Sequence, residues 1–314
     1  MIAASVVICT HDRGALAARA ARAAHAQARE CDAEVLLVDN ASPPETARVL
    51  GELPAELGRG VRVVRESTLG LSAARNRGLR DAAGRVVVFL DDDAVPHAGW
   101  LAALLAGYGH PNVVCVGGPV RLSFPGAPPP WLTPPLLAAY SAFDLGPAPR
   151  RLRYRRDDYP YGANISFLAE AARAAGGFSP AVGPRGRLAL VHDETDLCYR
   201  LDQAGGEIHY VPGAVVDHHV LSERLSPRWV LERHALGGRS AATFVLRNRP
   251  VTSALWRVWW RYGRALARLP YRLGEPVDPR RLAGECERRE ALGYLRGLAA
   301  DLPRLHRLRG EVGA

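Results

Sequence analysis

Lysine is absent from this chain of 314 residues: all 41 basic residues are arginine. Because Arg-for-Lys exchange follows coding bias, that absence carries no functional weight. Other absences exclude more. No stretch reaches the roughly 18 uninterrupted apolar residues of a membrane span, and Met1 to Cys9 runs straight into a predicted strand without a basic-then-apolar leader. The expectation is a soluble, cytosolic enzyme. Five cysteines (Cys9, Cys31, Cys115, Cys198 and Cys286) are odd in number, scattered and without paired-ligand spacing. They read as reduced, mostly buried thiols, which excludes a zinc site and a disulfide framework. No long repeat is visible.

What is present is an ordinary globular composition, 48% hydrophobic, at a length that suits one large α/β domain or two small ones. The charge is uneven. Residues 1–220 carry 22 arginines against 23 acids, whereas residues 221–314 carry 19 against 9, so the net +9 lies in the last third. A near-neutral body with a basic appendage suits an anionic partner or surface, and equally a solvated helical face.

Short β-branched runs at 5–10, 34–39, 61–65, 85–90 and 113–117 alternate with Ala/Arg/Leu-rich helical stretches at about 15–29, 44–52, 72–82 and 100–107. This is the strand–helix–strand pattern of a parallel sheet. Pro-rich segments at 125–135 and 146–149 mark a long shaped loop region. A second block, 161–219, ends with a short strand at 207–212, and from Pro227 onward the chain reads as helices.

The most telling feature is Asp91-Asp92-Asp93 at the end of the apolar run Val86-Val87-Val88-Phe89-Leu90. Such a run reads as a strand buried on both faces, so the carboxylates emerge where open α/β sheets place their ligands. They suit a hard divalent cation shared with phosphates, or a solvated acidic turn. Three more polar groups follow strands or open helices: Thr10-His11-Asp12-Arg13, Asp39-Asn40, and Gly70-Leu71-Ser72-Ala73-Ala74-Arg75-Asn76. In a parallel sheet they line one crevice, which suits a nucleotide. Asp39 can accept from a base N–H, Arg75 can stack on or bond the base, and the triplet can take ribose hydroxyls and a metal. Singly, Asp39 and Arg75 also fit a helix cap and a solvated charge. His11, like His25, His97 and His110, has no partner pattern of its own.

Together with Val38-Asp39-Asn40-Ala41-Ser42, Phe89-Leu90-Asp91-Asp92-Asp93, Gly176-Gly177-Phe178, the run His192-Asp193-Glu194-Thr195-Asp196-Leu197 and His218-His219, these motifs resemble family 2 glycosyltransferases over roughly residues 3–245. The resemblance implies the A-type glycosyltransferase fold, an α/β fold with a mostly parallel, nucleotide-binding sheet flanked by helices. The catalytic domain is expected at 1–225 (nucleotide half to about 120, acceptor half beyond), with a basic helical C-terminal extension at 226–314. It further implies an inverting, metal-dependent transfer of a sugar from a nucleoside diphosphate sugar, of uridine or another pyrimidine, to a hydroxyl acceptor. Thr10, His11, Arg13, Asp39, Arg75, Asp91, Asp92 and Asn164 are expected at the nucleotide sugar. Asp93, Asp91 and His218 are expected to hold Mn²⁺ or Mg²⁺, His218 being preferred to His219. In relatives the acid pair commonly reads Glu-Asp, with the second acid as base. Here it reads Asp193-Glu194, so the base aligns with Glu194, with Asp193 as its neighbour or an acceptor contact. Asp196 reads as an acid decorating a helix N-terminus.

Gly162-Ala163-Asn164 resembles a family loop near the donor sugar, Trp131 suits either stacking on an acceptor ring or packing beneath a loop, and 183–187 reads as a loop before the base. A sugar nucleotidyltransferase would show a Gly-rich phosphate loop after the first strand, where this chain has Thr10-His11-Asp12-Arg13; a silent carbohydrate-binding protein would not need the metal and base positions. The expected partners include no nucleic acid. In 255–270, Arg257, Arg261, Arg264 and Arg268 share one helical face and Leu255, Trp259, Tyr262 and Leu266 the opposite one. That suits peripheral contact with the cytoplasmic membrane face, or packing on the catalytic domain.

Overall fold

The computed structural model of the chain describes residues 2–153, 159–182, 192–267 and 278–310. Its first third folds as the sequence pattern predicts, with β1 (Ala4–Thr10), β2 (Ala33–Asn40), β3 (Val61–Glu66) and β4 (Val86–Leu90) parallel to one another. They are separated by α1 (Gly14–Glu30), α2 (Pro44–Leu57) and α3 (Leu71–Asp81). All of β4 is buried, which is why it reads as an unbroken apolar run. The helices approach closely because their contact residues are small. Ala17, Ala18, Ala20, Ala21, Ala24 and Ala28 form the buried side of α1. On α3, a Cβ at Gly78 would lie 2.3 Å from Val7 Cγ1 of β1.

After β4 come β5 (Ala94–Pro96), α4 (Trp100–Ala106), β6 (Val113–Gly117), β7 (Val120–Ser123), β8 (Arg150–Leu152), β9 (Asn164–Leu168), α5 (Ala169–Ala174), α6 (Asp193–Gln203), β10 (Glu207–Tyr210) and β11 (Val216–His219). The main sheet has the order β3-β2-β1-β4-β9-β6-β10-β8, and β5-β11-β7 form a small second sheet. The centre of the main sheet departs from the sequence reading. β9 runs antiparallel between β4 and β6, where a loop at Gly162-Ala163-Asn164 was expected. Its apolar pattern is interrupted by Asn164 and Ser166, both fully buried. Hydrogen bonds make that burial tolerable. The Asn164 amide accepts from Trp100 Nε1 (2.8 Å) and donates to the carbonyls of Pro119 (3.0 Å) and Ala214 (2.7 Å). The Ser166 hydroxyl accepts from Tyr108 (2.9 Å) and donates to the Val116 carbonyl (2.8 Å).

The chain forms two compact units. The first comprises Met1–Ser123, Ser141–Ser179 and Leu197–His219 and holds both sheets. The second comprises Phe124–Tyr140, Pro180–Asp196 and Val220–Ala314. It is built on α7 (Pro227–Asn248) and α10 (Pro279–Asp301), with α8 (Val251–Arg257), a π-helical turn (Val258–Tyr262), α9 (Gly263–Leu266) and α11 (Leu305–Gly310). Each long helix starts with a proline in its first turn and a capping side chain. Ser226 accepts from Trp229 N (3.2 Å) and Asp278 from Arg281 N (2.7 Å). The two helices touch backbone to backbone at glycines: a Cβ at Gly238 or Gly293 would lie 1.9 Å from the carbonyl oxygen of Glu290 or Ala235.

These glycines separate packing from propensity. Gly238→Ala and Gly293→Ala should each destabilise by about 1–3 kcal/mol, because the clash with backbone outweighs the helix-propensity gain. Gly51→Ala, on α2 with open space around its Cβ, should stabilise by about 0.5–1 kcal/mol. Urea unfolding of the three variants checks the opposite signs.

Candidate active site

Strand register brings the polar groups together. β1 pairs with β4 so that Val7 faces Phe89. Thr10 and Asp92 lie three residues further along their strands, so they arrive level, and Thr10 Oγ1 donates to Asp92 Oδ2 at 2.7 Å. Arg13, at the entrance to α1, donates from Nη1 to Asp92 Oδ1 (3.0 Å) and Asp93 Oδ2 (3.1 Å). Asp91 lies 3.6 Å from Arg75 Nη2. Asp92 and Asp93 are buried, while the side chain of Asp91 is 32% exposed.

The small sheet supplies the fourth side. Antiparallel pairing sets Ala94 of β5 opposite His218 of β11, and the His219 N–H donates to the Asp93 carbonyl (2.8 Å). His218 Nε2 is 2.9 Å from Asp93 Oδ1. It is therefore His218, the preferred member of the pair, that reaches the triplet. One ligand atom from each of Asp91, Asp93 and His218 lies within 4.8 Å of the others. Two carboxylates and an imidazole form a donor set that suits a divalent cation such as Mn²⁺. Burial pushes the Asp92 carboxyl up to about 6; Arg13 pulls it down, and the neighbouring Asp93 adds to the rise.

Arg75 is held by several aids. Its guanidinium lies over the Phe178 ring, 5.5 Å from the centroid, and Phe178 packs edge-on against Phe89 of β4 (4.9 Å, 84°). Asn76 fixes Phe178 by accepting from its N–H and donating to its carbonyl, both at 2.8 Å. Gly162 leaves room for the guanidinium, since a Cβ there would lie 1.8 Å from Arg75 Nη2.

On β2, Asp39 accepts from Ser42 N (3.0 Å) and pairs with Arg65 Nη1 (2.8 Å), its register neighbour on β3. Asn40 ties down the loop before α3 by accepting from Gly70 N (2.8 Å) and donating to the Thr68 carbonyl (2.7 Å). His11 Nδ1 bonds the Asn40 carbonyl (2.8 Å), which makes it a strap between the ends of β1 and β2. Sequence reasoning missed Arg65, whose only signal is the β2–β3 register.

Two further expected contacts are buried. Asn164 has no exposed surface and its amide is engaged by three protein groups, which brace β9. Trp131 is buried at 8% exposure, which is the packing alternative for that residue. The expected loop at 183–187 lies outside the described residues.

In the second unit, Asp193, Glu194 and Asp196 occupy the first turn of α6, where the helix dipole favours negative charge. Asp193 and Glu194 are both buried, Glu194 less completely. Asp196 does more than decorate the terminus. It is fully buried, accepts from Asn248 Nδ2 (2.6 Å) and lies 3.4 Å from Arg247 Nε of α7. Just before them, His192 stacks on Phe244 (6.2 Å, 24°), and burial, reinforced by the charge of Arg257, pulls its pKa down to about 4.

With this geometry in place, comparison with known proteins is direct. The glycosyl transferase family 2 pattern matches residues 5–173. The chain belongs to that family. It is similar to the pre-mycofactocin glycosyltransferase of Mycobacterium tuberculosis, 33% identical over 188 residues, which span 59% of this chain but 37% of that protein. It is also similar to the glucosyl-dolichyl phosphate glucuronosyltransferase of Haloferax volcanii, 26% identical over 75% of each chain. Among solved structures, GalNAc-T7 with UDP, GalNAc and Mn²⁺ superposes with a TM-score of 0.60 at 19% identity, covering 97% of this chain and 58% of that one. The mannosyltransferase PcManGT from Pyrobaculum calidifontis, in complex with GDP-Man and Mn²⁺, gives 0.54 at 20% identity over 96% and 75%. The fold is the expected A-type glycosyltransferase fold, with a mostly parallel central sheet and a helical C-terminal part.

The raised pKa of Asp92 has a measurable sign. The folded protein keeps this proton at pH values where the unfolded chain has lost it, so stability falls as pH rises from about 4 to about 6, by up to ~3 kcal/mol. Asp92→Asn keeps an acceptor for Thr10 and removes that contribution. Urea unfolding in chelator should show the variant gaining on the wild type between pH 4 and 7. Parallel stability curves would contradict the assignment.

Proposed function

We propose that this chain is an inverting, metal-dependent glycosyltransferase that moves a sugar from a nucleoside diphosphate sugar to a hydroxyl acceptor. The observation that carries the reading is the cluster of Asp91, Asp93 and His218 at the end of β4, with ligand atoms within 4.8 Å of one another, on the fold of a glycosyltransferase family. The two solved neighbours, one with UDP and Mn²⁺ and the other with GDP-Man and Mn²⁺, support the same reading. They also name the two nucleotide classes to assay first.

In this proposal Asp91, Asp93 and His218 hold Mn²⁺ or Mg²⁺, which when bound supplies positive charge for the departing diphosphate. The chain's own groups do the rest. Arg13 balances the buried pair Asp92 and Asp93, and Arg75 lies against Asp91. Arg75, fixed over Phe178, and Asp39 take the nucleoside, with Thr10 holding Asp92 in place. Glu194 accepts the proton of the acceptor hydroxyl as that oxygen attacks the anomeric carbon, and the bond from that carbon to the diphosphate oxygen breaks on the opposite side. Asp193, the more deeply buried of the pair, supports Glu194 or the acceptor.

Steady-state kinetics and product analysis test the reading. The product should carry the anomeric configuration opposite to that of the donor. Glu194→Gln should lower kcat by about 10²–10⁴-fold while donor Kd moves by less than about twofold, because the amide keeps the shape but cannot accept the proton. Asp193→Asn should be milder. The reverse ranking would make Asp193 the base, and retention of configuration would contradict a single displacement.

A further inference from the structure

Among the described residues, five large apolar side chains are exposed, and four of them, Leu255, Trp256, Trp259 and Trp260, lie together on α8 and the π-helical turn that follows. Trp256, Trp259 and Trp260 are 66, 81 and 78% exposed. The rings of Trp256 and Trp260 stack on each other in the open, 6.1 Å apart and within 7° of parallel. An indole cluster of this size is costly to leave in water.

Leu255 and Trp259 belong to the apolar stripe expected from the sequence, but the exposed face is not that stripe as a whole. Tyr262, assigned to the apolar stripe with Leu255, Trp259 and Leu266, is buried. Its hydroxyl donates to Glu290 Oε1 (2.9 Å) and its ring lies 5.1 Å from Tyr294. Ala254 and Ala265 are buried beside it, and Arg257 lies over Tyr294 at 5.8 Å. The outward face is therefore shifted from the predicted stripe toward Trp256 and Trp260, and the π-helical turn at Val258–Tyr262 interrupts the helix there. Because the inward side is engaged by α10, the helix cannot roll to hide its tryptophans. Arg261 and Arg264 flank them, both exposed, and residues 251–267 contain no acid. Arg268, the fourth member of the predicted arginine face, lies outside the described residues.

The geometry points to a partner of one chemistry: the headgroup boundary of an anionic bilayer. Tryptophan settles at that boundary because one edge is apolar and the N–H is polar, and flanking arginines are drawn to anionic lipid. A second copy of the chain fits less well, since pairing this face with itself would bring the arginines of both copies together, with Glu290, 3.5 Å from Arg261, the acid beside them. No helix among the described residues is long and apolar enough to cross a membrane, so the contact would be peripheral. The inference is independent of the glycosyl-transfer reading, because none of these residues belongs to the carboxylate cluster.

Vesicle flotation tests it, with phosphatidylglycerol-containing and pure phosphatidylcholine vesicles at low and high salt. Binding to the anionic vesicles should exceed binding to the neutral ones by at least about tenfold at low salt and weaken as salt screens the arginines. A triple variant, Trp256→Ser, Trp259→Ser and Trp260→Ser, should lose about tenfold or more of that binding with donor binding unchanged. In the wild-type chain, bromine-labelled lipid should quench tryptophan emission, a readout that does not need the variant to fold. Protein left unbound under every condition would overturn the inference, as would a folded triple variant that binds like the wild type. Failure to bind vesicles together with self-association that the triple variant abolishes would assign the face to a second copy instead.

Discussion

Three consecutive carboxylates at the end of a buried strand repel one another, and the arrangement around them answers that repulsion. Unit charges 4 Å apart at an effective dielectric of about 20 interact by about 4 kcal/mol, enough to compete with a domain's whole stability once several pairs are summed. The first unit meets this with partners from three separate elements: the guanidinium groups of Arg13 from the turn into α1 and Arg75 from α3, and the imidazole of His218 from β11. Each partner is delivered by backbone geometry. Parallel pairing brings the β1 turn level with β4, Gly162 and Phe178 hold the Arg75 guanidinium, and the small sheet sets His218 against Asp93. Asp92 keeps a raised pKa chiefly because it is buried, with the neighbouring carboxylates adding to the rise.

Much of this was legible in the sequence, because parallel α/β architecture writes its signals locally. An apolar run followed by polar residues marks a strand and its ligand-facing end, so the positions of β1 to β4 and the candidates Thr10, Asp39, Arg75 and Asp91–Asp93 could be read directly. What could not be read depends on pairing between distant segments. β9 conceals itself because Asn164 and Ser166 are satisfied by Trp100, Tyr108 and carbonyls from three other segments. Arg65 becomes a partner of Asp39 only once the β2–β3 register is known.

The second unit teaches the same lesson from helices. Asp196 looks like one more acid at a helix start, yet it is fully buried against Arg247 and Asn248. The periodicity of 255–270 reads as one amphipathic helix; as far as Leu266 the segment is helical but interrupted by a π-helical turn at Val258–Tyr262. Which face is covered is decided elsewhere, by Tyr294 and Glu290 on α10, and they select Tyr262 and Ala265 over the tryptophans.

The central claim is that the carboxylate cluster at the end of β4 is the seat of the cation and diphosphate. Electron paramagnetic resonance of Mn²⁺, titrated with protein in the presence and absence of UDP or GDP, tests this most directly, because the signal of free hexaquo Mn²⁺ falls as the ion is captured. The account predicts capture that strengthens when one of the two nucleotides is present, and loss of at least about tenfold in affinity in Asp93→Ala and His218→Ala with the fold retained. Mn²⁺ binding that is equally tight in both variants, or indifferent to either nucleotide, would contradict it.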